Sequence, residues 1–251
     1  MGHMTLTLNL APALAPATPH ATKKAGTGAL RRAQTVLRRA LAMDAQAMVR
    51  ARQAGPRSVD LFITTPLKAI VSQRIPGTLE GETTSATGVD HAVTGASQLA
   101  EALSWASDTT THVPFGPALG LVWPGALPPE AGYDLVDTVP GETLRALHAE
   151  IAQESKAHSG PLGVAKSLLE QKVVEVVGVP SPKNNDQPPR VELQGRWVAA
   201  LGGLGLIAEP TAPQLRDHDY ARVAVGGSWI RVDGLFGSLY APKPGGLARV
   251  P

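Results

Sequence analysis

The chain has no cysteine. That excludes a disulfide framework, a thiolate nucleophile and a cysteine-ligated zinc site. Aromatic residues make up 4% of the 251 positions and charged residues 18%, so a core built here must be aliphatic and alanine-rich. No run of about 18 apolar residues occurs, so no segment reads as a membrane-spanning helix. Thr5 to Thr18 has no basic leader and is broken by Pro12 and Pro16, which argues against a secretory signal. Met1-Gly2-His3 ahead of Met4 reads as an added remnant. A cytoplasmic location is the expectation.

What is abundant is glycine (26) and proline (22), which implies short elements joined by many turns. A hydrophobic fraction of 43% is that of a globular protein. The net charge of +2 is unevenly spread: residues 1–60 hold nine Lys/Arg against Asp44 and Asp60, whereas residues 61–160 are net acidic.

The clearest pattern lies between Leu30 and Met43, where Arg31-Arg32 and Arg38-Arg39 stand seven residues apart. At about 100° per residue, seven positions return to nearly the same side of a helix. The four arginines therefore form one stripe, and Ala33, Val36, Leu37, Ala40 and Leu41 form the opposite, apolar face. With Lys23 and Lys24, placed on a flexible arm, they are the candidate contacts for phosphate or for a protein partner. One reading is non-specific nucleic-acid binding through phosphates. The other is a surface helix docked on the protein's own acidic middle segment, where each exposed ion pair contributes roughly 0 to 1 kcal/mol. A membrane-surface role is disfavoured because the apolar face has no Trp or Phe to insert.

Further along, a second short helix is expected over 45–52, and a hairpin from Ser58–Thr64 and Lys68–Ile75, both apolar and bounded by prolines. Helices are expected over 94–107, 141–157, 162–170 and 194–204, and strands over 89–93, 133–139, 172–177, 221–225, 229–232 and 236–241. Pro114–Pro129 is too proline-dense for a helix or a central strand. The predicted fold class is α+β: N-terminal helices on a small antiparallel sheet, then a C-terminal half whose parts suggest a winged helix. The expected division is an arm (1–28), an N-terminal domain (29–139) and a winged-helix-like domain (140–251). Its would-be recognition helix, Val191–Leu204, has only Arg196 as a basic residue, which disfavours reading of base edges.

Chemical motifs are weak. Gly160 to Ser167 has the lysine and hydroxyl of a phosphate loop, but Ala165 stands where the second glycine belongs. Gly203-Leu-Gly205 reads as a helix stop, not a dinucleotide fingerprint. Asp217-His218-Asp219 reads as a solvated turn in preference to a metal site. Gly227-Ser228 lacks the context of a nucleophile elbow. Glu150, Glu154 and His158 read as an exposed helix face, and Trp197 and Trp229 as core anchors. No catalytic residue, metal site or cofactor is assigned.

The segments VDLFITTPLKAIVSQRIPG (59–77), LPPEAGYDLVDTVPGETLRAL (127–147), SLLEQKVVEVVG (167–178) and VAVGGSWIRVDGLFGSLY (223–240) together resemble a family of hypothetical proteins from high-GC Gram-positive (actinobacterial) bacteria. The resemblance implies a bacterial cytoplasmic protein and assigns no activity. The function expected is that of a non-enzymatic interaction or scaffold protein, binding a protein partner or itself. The alternative is a nucleic-acid-associated protein using the basic helix, and an enzyme ranks third.

Overall fold

In the computed structural model the described residues are 5–10, 21–80, 91–106, 110–117, 123–158, 166–180 and 187–244. They fall into two compact units, one comprising 1–66 and 71–125, the other 67–70 and 126–251. The division therefore comes before the boundary expected at 139/140.

The first unit contains β1 (Thr5–Asn9), α1 (Ala21–Met43), β2 (Met48–Gln53), β3 (Ser58–Thr64), β4 (Ile70–Pro76), β5 (Thr78–Glu80), β6 (His91–Gly95), α2 (Ala96–Ser104) and β7 (His112–Pro117). Its strands form two hydrogen-bonded runs, β6-β2-β3-β4 and β5-β1-β7, and α1 packs against α2. The helix expected over 45–52 is instead strand β2. From Met48 to Ala51 burial alternates, with Val49 and Ala51 fully enclosed. That two-residue period seats it between antiparallel β3 and β6, with Val49 opposite Ile63 and Ala51 opposite Leu61. β3 is buried at five consecutive positions, Val59 to Ile63, as its near-continuous apolar run requires.

The stretch read as a flexible arm carries β1 and the first turns of α1. β1 pairs antiparallel with β5 and β7. Prolines 114 and 117 sit in β7, which is tolerated because β7 is the outer strand of its run.

The second unit contains β8 (Asp134–Pro140), α3 (Gly141–His158), α4 (Lys166–Glu170), β9 (Lys172–Val177), β10 (Arg190–Gln194), α5 (Gly195–Gly203), a 3-10 turn (Pro213–His218), β11 (Tyr220–Gly226), β12 (Trp229–Gly234) and β13 (Gly237–Pro242). Here too there are two runs, β13-β12-β11-β8 and β10-β9, and α5 packs against both α3 and α4.

This arrangement overturns the expected fold class. N-terminal helices do not rest on a single small sheet, because each unit joins packed helices to two antiparallel strand runs. The C-terminal half is no winged helix either. α5 buries Arg196, Trp197, Val198, Ala200 and Leu201, so it has no free face to lay in a groove. α5 ends where Leu206 N–H bonds back to the Leu201 carbonyl at 2.8 Å and Gly205 takes a φ of 78°, the left-handed conformation glycine supplies at a helix stop. The core is mainly aliphatic, with Phe62 and Phe115 fully buried beside Leu8, Leu37, Leu61, Ile63 and Leu99 in the first unit, and Leu144, Leu193 and Leu201 in the second.

Candidate nucleic-acid interface

α1 holds its position through one face. Ala33, Val36, Leu37 and Ala40 are at most 4% exposed, whereas Arg31, Arg32, Arg38 and Arg39 are all exposed. Burying those four apolar side chains at roughly 25 cal/mol per Å² anchors the helix and fixes which way the arginines point. Their angular positions span about 120° of the helix, so they act as one strip. Among the described residues none of the four makes an ion pair. Thr35 turns its hydroxyl back onto the Arg31 carbonyl at 2.9 Å, leaving the guanidinium groups as the polar chemistry of this surface. Lys23 and Lys24 lie in the first turns of α1 by backbone, which puts them on the same helix as the arginines instead of on a separate arm.

The other helices differ. α2 offers Ser97, Gln98, Glu101 and Ser104 to solvent and no cation. On α3 the exposed charges are Glu142, Glu150 and Glu154 against Lys156. Positive charge on a helix surface is thus concentrated on α1.

In the second unit several charged groups are held in structural contacts. Arg145 on α3 donates to both carboxylate oxygens of Asp219 at 2.8 and 2.7 Å and to the Ile207 carbonyl at 3.2 Å. The paired guanidinium holds the Asp219 carboxyl below the usual carboxylate range. Asp219, read as part of a solvated Asp-His-Asp turn, is therefore a clamp, while Asp217 and His218 are exposed. Arg196 is buried against Glu170 (2.9 Å) and the Leu169 carbonyl (3.3 Å). His148 is half-buried against Gly202, where a Cβ would overlap its ring, and burial pushes its imidazole below the ordinary value. Among the described residues no group of three or more His, Asp or Glu side chains could hold a metal ion. The phosphate-loop-like segment falls largely outside the described residues, as does the His158 side chain. Gly227 is the turn between β11 and β12, with φ 54°.

Sequence reasoning missed the charges on β2, because Arg50 and Arg52 were placed in a helix. The signal that reveals them is the alternation Val49-Arg50-Ala51-Arg52.

Residues 128–246, most of the second unit, match the family model described as Domain of unknown function (DUF8185). No curated protein matches the chain in sequence. Among solved structures, a putative DNA polymerase III beta subunit from Eubacterium rectale ATCC 33656 is similar at a TM-score of 0.50 and 11% identity, covering 97% of this chain and 65% of that one. The DNA polymerase sliding clamp of Pseudomonas aeruginosa gives 0.49 and 11%, covering 97% and 65%. The beta sliding clamp of C. crescentus gives 0.47 and 13%, covering 98% and 66%. The chain thus has a fold like that of the Eubacterium rectale beta subunit and spans 65% of its length. Among the described residues no helix is long and apolar enough to cross a membrane.

Proposed function

We propose that this protein is a non-enzymatic, clamp-like interaction protein of the bacterial cytoplasm that associates with duplex DNA through phosphate contacts from α1. The observation that carries this reading is the strip Arg31, Arg32, Arg38 and Arg39, exposed and without ion-pair partners among the described residues, on a fold like that of a beta subunit. Lys23 and Lys24 extend the set of contacts. Such contacts position a protein on DNA without reading its sequence. The buried α5 supports the same conclusion, since it offers no base-reading face. Self-association belongs to the same proposal. Because the exposed charge of α3 is acidic, the contact is assigned to the first unit alone.

The test is fluorescence anisotropy with a labelled duplex of arbitrary sequence at low salt. The wild type binds, and the variant Arg31→Glu/Arg32→Glu/Arg38→Glu/Arg39→Glu, with an unchanged circular dichroism spectrum, loses that binding. Equal binding by the two proteins removes the assignment to α1.

A further inference from the structure

Trp123 and Trp197 are buried, at 8% and 3% exposed, whereas Trp105 is 80% exposed. Tryptophan is among the more deeply buried residue types on average, so a ring left this bare is a departure to account for. Its backbone is fixed. Trp105 closes α2 with helical φ and ψ of −90° and −7°, and its N–H bonds to the Leu103 carbonyl. Leu99 and Leu103 of the same helix are buried, so the indole is presented at an anchored helix end.

Topology sets that ring beside the basic surface of α1. The chain turns tightly after α1: Asp44 N–H bonds to the Ala40 carbonyl at 2.8 Å and Ala47 N–H to the Asp44 carbonyl at 3.0 Å. Ala96 N–H, at the start of α2, bonds to the Ala47 carbonyl at 2.8 Å. α2 therefore starts at the C-terminal end of α1 and, because the two helices pack together, runs back along it. Its nine residues advance about 14 Å. The same rise counted back from Met43 reaches Gln34, between the pairs Arg31-Arg32 and Arg38-Arg39. Packed helix axes lie about 8–10 Å apart, so the indole and the guanidinium groups can meet neighbouring nucleotides of one strand.

The surroundings of the ring select its partner. The exposed residues of α2 itself are Ser97, Gln98, Glu101 and Ser104. Among the described residues of the first unit, the other exposed large apolar side chain is Met43, near the start of α2 and thus away from Trp105. A protein hot spot sits within a ring of contacts that excludes water, and an isolated aromatic has no apolar patch from which to build one. A nucleobase requires only a flat aromatic face, with cations nearby for its phosphate. Glu101, one turn before Trp105, repels phosphate from α2 and leaves it to α1. Paired bases are already stacked on one another, so the ring is of use to an unpaired one.

We propose that Trp105 is a stacking site for an unpaired base, so that the protein prefers a duplex that continues into a single strand. This rests on the DNA reading of α1, which supplies the phosphate contacts.

Anisotropy tests it with two duplexes that carry the same single-stranded extension of about ten nucleotides, one with its bases and one abasic, which matches their charge. The wild type is expected to bind the base-bearing probe about tenfold tighter. Trp105→Ala binds the two alike, and Trp105→Phe keeps part of the preference. Equal binding of both probes by the wild type overturns the proposal, as does a preference that survives in Trp105→Ala; either result leaves the ring to a protein partner. If neither probe is bound, tryptophan fluorescence decides: quenching by a thymidine homopolymer strand that is lost in Trp105→Phe supports the stack, and no quenching overturns it. The reading of α1 is judged apart, on a blunt duplex, where equal binding by wild type and Arg31→Glu/Arg32→Glu/Arg38→Glu/Arg39→Glu refutes it whatever the ratio between the extended probes.

Discussion

Replacing Asp219 by Asn removes one charge from the clamp of the second unit while keeping its shape. Arg145 and Asp219 are 74 residues apart in sequence, and their side chains are 26% and 23% exposed, so solvent screens the pair only in part. The wild-type pair has two charge-assisted hydrogen bonds, each contributing roughly 1.5–3 kcal/mol against about 1 for a neutral bond. In Asp219→Asn one fork oxygen becomes an amide that cannot accept. A loss of about 2 kcal/mol is expected, to which the retained bond from Arg145 to the Ile207 carbonyl sets a limit. The backbone bond from Gly141 N–H to the Asp219 carbonyl, 2.8 Å, is untouched, so the start of α3 survives. Because the folded Asp219 has its pKa lowered by Arg145, its contribution is complete above the unfolded value of about 3.9. It fades as pH falls through the depressed folded value. Urea unfolding at pH 7 and pH 3 measures both effects: the difference between wild type and variant should be largest at pH 7 and shrink toward pH 3. A variant within 0.5 kcal/mol (roughly the surface-mutation range) of wild type at pH 7 would show that the clamp contributes nothing beyond solvation.

Other expectations follow from single contacts. Leu37→Ala, at a fully buried position on α1, should cost about 2–5 kcal/mol, read as a fall in urea midpoint; an unchanged midpoint would mean that the apolar face does not anchor the helix. Gly202→Val drives a side chain into the His148 ring and should destabilise by about 1–3 kcal/mol, with wild-type stability disproving the close α3–α5 approach. His148 has a lowered pKa from burial, so its folded form resists protonation and stability is lost as pH drops below the unfolded value near 6.5. His148→Gln should flatten that part of the stability–pH curve, and a curve of unchanged slope would assign it to another group.

Much of the fold was legible where a period is local. The seven-residue repeat of arginine pairs located α1 and both of its faces, and the β-branched runs located β3, β9, β11 and β12 to within a residue or two. What failed was non-local. β1 is a five-residue strand whose partners lie about 70 and 105 residues away, and nothing between Thr5 and Asn9 announces them. β2 was read as a helix because Asp44 and Gly55 flank it like caps, and only pairing on both sides makes its alternation decisive. The winged-helix reading failed for a related reason: one helix followed by a hairpin occurs in many folds, and the burial of Arg196 and Trp197, which rules it out, depends on α3 and α4. The candidate interface could be read because it is a property of one helix. The place of Trp105 beside it could not, since that is set by the bond between Ala96 and Ala47.

The most direct check on the role of α1 is the salt dependence of duplex binding, measured as the slope of log K against log salt concentration. Neutralising four phosphates gives a slope of about −3.6, and six, with Lys23 and Lys24, about −5.4. Each arginine changed to Gln should make the slope shallower by about 0.9, uniformly for Arg31, Arg32, Arg38 and Arg39, whatever the duplex sequence. A slope near zero for the wild type, or one unchanged when all four are Gln, would contradict the assignment of DNA contact to this helix.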